Sequence, residues 1–480
     1  VTVTDLGFQR RVRYAPLNQK LIHLENSLYL KMAAPIPSGG TVTATNPAED
    51  KWPGTFVFTA PLDQNRWNSA VHVNQVGYEA GELKKAHIGK WLGSMGELAV
   101  TAAATTFDVI KTADNSVATS GFLTARVDSG FLYTPAPYQQ VYEADFSSLK
   151  TPGEYRLRVP DLGASYPFEI RVGLDGVLAR TTVAGLFHQR SAQNHALPYT
   201  RYEDAPSHTA AAEIPSNTDR AAYAPMWDSI QGFSGGAITG PEDLLYRYKN
   251  TGTVDVSGGH MDAGDYSKYS VTTAAALHAL TFAVDYLPGV TSLDNLGIPE
   301  SGDDVSDLLQ EAHYVASFLA RLQDSDGGFY DMVRPKNRDF EIDVLPSAGD
   351  TQIVYPKNTI STAVATAALA EIASSPAFQT AFSSEAGAAA TAAQNGWDFL
   401  ITALDNDIVD NIITLTEKAN AYQKSAYYGT AFTHDDELAW AAAAMFVMTD
   451  NPIYEARLIE FMPNPNAVLL NGWRRLHEGW

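Results

Sequence analysis

The feature that most constrains this chain is a change of hydrophobic period near residue 174. Before it, apolar and polar side chains alternate in short runs at 27–32, 55–59, 71–78, 155–159 and 166–172. Turn-forming clusters interrupt them at Pro35-Ile-Pro-Ser-Gly-Gly40, Lys51-Trp-Pro-Gly54 and Thr151-Pro-Gly153. Period two means strands with one buried face, and this punctuation predicts an antiparallel β-sandwich. After residue 174 the texture becomes long and Ala-rich, at 177–193, 269–286, 306–323, 359–374, 385–404 and 435–448, with a shorter stretch near 453–461. These are helix patterns. Two domains are expected, a β-rich one over 1–174 and a helical one over 175–480. Small residues at 274–276, 365–368, 388–390 and 441–444 either let helices approach closely or reflect helix propensity.

Composition narrows the function. With 45% hydrophobic residues over 480 positions, a large core is available and overall disorder is excluded. Lys plus Arg against Asp plus Glu gives 33 − 55 = −22, which opposes nucleic acid and anionic lipid. The expected partner is neutral or cationic. The absence of cysteine removes disulfides, thiolate metal sites and a cysteine nucleophile. No apolar run reaches the roughly 18 residues of a membrane span, and residues 1–9 lack an export-signal pattern. The expectation is a secreted monomer, its signal removed, with no membrane partner.

Chemistry concentrates in Ser257-Gly-Gly-His-Met-Asp-Ala-Gly-Asp-Tyr-Ser-Lys-Tyr269. Asp262 and Asp265 lie in a glycine-bearing turn just before a predicted helix, so both can face one small volume. Free backbone N–H groups there favour ionised carboxylates, one able to act as a base while the other orients a water. That suits acetal hydrolysis. Helix capping is the competing role for either acid. The connection 194–259 is long and rich in Pro, Gly, aromatic and acidic residues, which places the chemistry at one end of the helices.

The segment Gly258–Tyr269 resembles the active-site signature of glycoside hydrolase family 9, the inverting cellulases. His72-Val-Asn-Gln-Val-Gly-Tyr78 is similar to the opening of the immunoglobulin-like module found in one branch of that family. Phe187-His-Gln-Arg190, Ala205-Pro-Ser-His208, the segment from Leu319 to Tyr330, Val354-Tyr-Pro356 and Asp435-Asp-Glu-Leu-Ala-Trp440 follow in the family's order. The resemblance implies an N-terminal immunoglobulin-like β-sandwich, recognisable from about residue 67, followed by an (α/α)6 barrel. Asp265 matches the general base, Asp262 its water-holding partner and Asp436 the family's acidic pair at the cleft. The implied function is internal hydrolysis of β-1,4-glucan with inversion. The alternatives are an exo-acting glucosaminidase on chitosan oligosaccharides and a carbohydrate-binding protein with a dead site.

Two departures accompany the resemblance. The general-acid Glu of the family's Asn-Glu motif is not found before Trp480, and the helix patterns fall short of the six pairs of an (α/α)6 barrel. An incomplete barrel is therefore expected; were the chain fully active, Glu437 and Glu478 would be the first acids to test. The family's structural zinc ligands are matched by Ser191, Ser207, His208 and Met261, a set with one imidazole. No zinc is expected there and no cofactor is required, while calcium remains compatible with the acidic chain.

Other patterns weaken. Gly232-Phe-Ser-Gly-Gly236 fits a nucleophile elbow without its strand and helix. Asp324-Ser-Asp-Gly-Gly328 resembles a calcium loop but lacks the later Glu, so a turn after the preceding helix is expected. Aromatic faces stack on sugars, and Trp227, Tyr266, Tyr330 and Trp473 are the candidate platforms, with core packing as their competing role.

Overall fold

The computed structural model describes residues 2–15, 22–34, 36, 39–100, 105–126, 140–216, 250–262, 266–336, 346–405 and 435–463. The chain divides into two compact units, Val1–Ala179 and Arg180–Trp480.

In the first unit two sheets enclose one core. One orders its strands Thr124–Ala125, Tyr142–Asp145, Lys85–Ile88 and Val71–His72; the other orders Tyr78–Glu79, Phe168–Arg171, Gly153–Val159, Thr106–Lys111 and Val117–Phe122. Gly153–Val159 shows the cause. Tyr155, Leu157 and Val159 are buried while Arg156 and Arg158 alternate outward, and Arg158 reaches Asp108 at 2.7 Å on that outer face. Tyr78 meets Phe146 and Phe168 edge-on, at 5.1 and 5.2 Å between centroids. The sequence read 71–78 as a single strand. Instead the chain turns between two short strands, because Asn74 Oδ1 accepts from the Val76 N–H and Gly77 adopts φ +115°. Two hairpins precede the sandwich, Val3–Tyr14 with His23–Met32 and Thr41–Ala44 with Phe58–Pro61.

The second unit is helical: α1 (Leu174–Phe187, beginning in the first unit), α2 (Ser270–Tyr286), α3 (Asp307–Arg321), α4 (Thr359–Ser374), α5 (Pro376–Ala381), α6 (Ser383–Asp405), α7 (Asp435–Thr449) and α8 (Pro452–Phe461). Helix α4 is apolar on nearly all sides and sits at the centre, against α2, α6 and α7. Ala363, Ala365, Ala367, Ala368 and Ala370 are fully buried along it, so its small side chains bring neighbours close. Asn358 caps α4, its Oδ1 accepting from the Ser361 N–H at 2.8 Å. No described helix is long and apolar enough to cross a membrane. Segments 406–434 and 464–480 lie outside the described residues, and with them the expected opening of the barrel.

A five-stranded sheet built from the connections was not read from the sequence. Its order is Gly252–Val254, Ala212–Ile214, Gln352–Val354, Met332–Pro335 and Lys268–Tyr269. Strands of two to four residues are too short to show a period, and this sheet gathers the loops that precede α2 and α4.

Candidate active site

Asp262 is half-buried and fixed from both sides. On its N-terminal side, Arg190 bridges to His260 and the Met261 N–H donates to Gln189 O at 3.0 Å. On its C-terminal side, the Asp262 N–H donates to Ser267 O at 2.8 Å, and Lys268–Tyr269 pairs with Met332–Val333. Tyr266 has φ +54°, a left-handed conformation uncommon for a side-chain-bearing residue. Gly259 is required: at φ +69° a Cβ would collide with the Phe318 ring. Asp265 lies outside the described residues, as do Trp227, Trp473, Glu478 and the Gly232–Gly236 loop.

A buried charge network underlies the turn. The Arg190 guanidinium donates to Glu311 at 2.7 and 3.0 Å and to Glu300 at 2.8 Å, and lies over Tyr314, 4.5 Å from the ring centroid. His260 Nε2 meets Glu311 Oε1 at 2.6 Å. Burial would raise the Glu311 carboxyl, but the His260 bond and the Arg190 charge outweigh it and hold the group below its ordinary value. Ion pairing thus reaches the backbone two residues from Asp262.

Of the four positions matched to zinc, three contact one another and Ser191 bonds elsewhere. Ser207 Oγ contacts Met261 Sδ at 3.8 Å and His208 Nδ1 at 3.1 Å, and Ser191 Oγ donates to Gly258 O at 2.7 Å. Burial drives the Lys268 amine well below its ordinary value, with Arg321 adding to the effect. Its protons are nevertheless directed at Ser191 Oγ and Gly258 O, each at 3.0 Å, and at Val256 O. Burial first, then Lys268, pushes the His208 imidazole down to about 2. Two hydroxyls, a thioether and one imidazole beside a lysine do not fit a zinc ion.

The calcium-like segment is a turn closed by a lysine. Lys357 Nζ donates to Asp324 Oδ2 at 2.6 Å and to Asp326 at 2.9 Å, and the Gly327 N–H returns to Asp324 O at 2.9 Å. Tyr330 requires a correction. It is 2% exposed, donates to Asp324 Oδ2 at 2.9 Å and belongs to the helical core, so its ring offers no face to a sugar.

Asp436, in the first turn of α7, lines a cavity of about 930 Å³ with His278, Glu371 and Trp440; Asp262 is not among the lining residues. The Asp436 Oδ2 is shielded from solvent and has no hydrogen-bond partner among the described residues. Glu371 accepts from Trp440 Nε1 at 2.6 Å and meets His278 Nδ1 at 2.6 Å. Glu437 is 7% exposed. Sequence reasoning passed over Glu371, although its being the one acid in the Ala-rich run 359–374 was a usable signal.

Residues 66–164 match the pattern described as "Cellulase N-terminal ig-like domain". "Endoglucanase D" of Acetivibrio thermocellus is 25% identical over 313 residues, covering 64% of this chain and 42% of that protein. A xyloglucan-specific endo-beta-1,4-glucanase of Bacteroides ovatus is 25% identical over 334 residues, covering 68% and 51%. The chain therefore spans about half or less of the length of these relatives. Among solved structures, a family 9 protein of Bacteroides ovatus superposes with a TM-score of 0.60 at 20% identity, over 82% of this chain and 64% of that one. A metagenome-derived family 9 endoglucanase gives 0.59 at 25%, over 82% and 63%. Residues 178–476, most of the helical unit, match the pattern described as "Glycosyl hydrolase family 9", and the chain belongs to that family.

Proposed function

We propose that the chain hydrolyses internal β-1,4 bonds of glucans with inversion at the anomeric carbon. The observation that carries this is the family match together with an Asp262 turn anchored by pairing on both sides and by a buried ion network. Asp265 takes the proton from the attacking water and Asp262 holds that water's other hydrogen, so the oxygen lone pair is aimed at the anomeric carbon. Inversion calls for an acid roughly 6.5–9.5 Å across the scissile bond. No residue is assigned to it. Asp436, with its unsatisfied Oδ2, accepts from a sugar hydroxyl. The enzyme works as a secreted monomer, with no zinc at the His208 cluster, whose donor set does not suit it.

The test is NMR observation of the anomer first released from cello-oligosaccharides and xyloglucan, with product lengths. Release of α-anomer from interior positions is expected; initial β-anomer, or monomer alone, defeats the reading. Asp265→Asn and Asp262→Asn are each expected to lower kcat by about 100-fold or more with folding unchanged, since each keeps shape and removes a charge that accepts protons.

A further inference from the structure

The first hairpin, Val3–Tyr14 with His23–Met32, is amphipathic in the unexpected sense. Leu6, Phe8, Val12, Leu24 and Leu30 share one exposed face, interrupted by the Arg10–Asn26 pair. The other face carries Gln9 opposite Ser27, Arg11 opposite Glu25 and Gly7 opposite Tyr29. That polar face lines a cavity of about 510 Å³ whose far wall comes from the sandwich. A hairpin that only braced the sandwich would turn its apolar side inward. Its docking is specific: the Phe8 N–H donates to Ser94 Oγ at 3.0 Å, and a Cβ on Gly7 would stand 2.6 Å from Leu92 O. Gly93, at φ +61°, allows the return approach, since a side chain there would collide with the Phe8 carbonyl.

The far wall presents Trp67 and Tyr166. A bridge between Trp67 and Ala164 sets them side by side, with ring centroids 4.9 Å apart and planes tilted by 32°. Each is 46% exposed, unlike the buried aromatics of the sandwich core. The charges around the cavity have local partners: Arg11 pairs with Glu25 at 3.4 Å, and Lys90 is tied to Ser69 Oγ and lies 5.6 Å from the Tyr29 ring centroid. The volume falls within the roughly 300–1,000 Å³ of small-molecule sites. Two half-exposed aromatic rings, packed against each other and bordered by amides, hydroxyls and locally paired charges, match a ligand with apolar C–H faces and a rim of neutral hydroxyls.

We propose that this cleft is a second carbohydrate site, in the β unit, which binds a neutral pyranoside chain and holds it without cutting it. Only the choice of β-glucan as probe rests on the hydrolase reading.

The test uses the full chain, measuring retention on insoluble cellulose and in gels containing xyloglucan, beside hydrolysis of a short soluble cello-oligosaccharide. Trp67→Ala combined with Tyr166→Ala is expected to weaken retention about tenfold and to leave the soluble rate within about twofold. Trp67→Phe, which keeps a ring, is expected to recover most of the retention, and thermal melting separates loss of the platform from loss of the fold. Unchanged retention in the double variant, or a wild-type chain held by no neutral polysaccharide, overturns the site. Retention on polygalacturonate alone overturns the neutral ligand. A chain retained through Trp67 that cuts no glucan defeats the hydrolase reading and leaves this site standing.

Discussion

The two units keep their charges in different places. In the sandwich, ionisable side chains point outward, as Arg158 and Asp108 do; Lys84 is buried there, and it is answered by the carbonyls of Glu79, Ala80 and Glu82. The helical unit buries Arg190, Lys268, Asp307, Glu311, Asp331, Arg334 and Lys357. Taking such groups from water costs several kcal/mol each unless pairing offsets it. The lesson is that the sandwich is organised for stability, whereas the helical unit holds buried charge around the turn and loops that carry the expected chemistry.

Three measurements test that contrast. The largest effect is expected from Glu311→Leu, which leaves Arg190 and His260 without their shared carboxylate. It should cost the helical unit about 3 kcal/mol in denaturant unfolding, as removal of one partner from a buried pair does, and should lower activity through the Asp262 turn. A loss below about 1 kcal/mol would make the network incidental.

Next comes acid sensitivity. The His208 imidazole titrates at about 2 in the folded chain against 6.5 when free. A depressed folded value means that its contribution is complete above pH 6.5 and is lost as pH falls, because the unfolded state takes up the proton first. Between pH 7.5 and 5 the helical unit should lose roughly 2 kcal/mol, and His208→Gln should flatten that slope. Asp324 adds a second acid loss lower down. Burial would raise it, but Lys357 and the turn's own N–H groups bring it to about 2 from 3.8, so its contribution fades as pH drops below about 4.

The smallest effect belongs to the sandwich. Asp108→Asn breaks a partly exposed pair with Arg158 and should cost less than about 1 kcal/mol, read from the unfolding of the β unit. A cost matching that of Glu311→Leu would erase the distinction between the units.

Much of this was legible in the sequence because long elements repeat their pattern. The helix expected at 359–374 is α4 to the residue, and the alternation at 155–159 marks the buried face of its strand. The segment leading to Asp262 stood out in the sequence through its glycines. The Asp262 anchors were not, since Arg190, Glu311 and His260 lie far apart along the chain and no local pattern links them. Tyr330 was misjudged for the same reason: beside Gly327 and Gly328 it looks like a loop aromatic, and only its bond to Asp324 reveals a core residue.

The change from strands to helices at residue 174 and the family can both be read without coordinates, because each is written in neighbouring residues. Tertiary structure alone decided which charges are buried together, that a polar hairpin face closes a cleft against Trp67 and Tyr166, and that Asp436 shares a cavity with Glu371. Those facts depend on contacts between segments distant in the chain, where burial sets the cost of every polar atom and no periodicity records the partner.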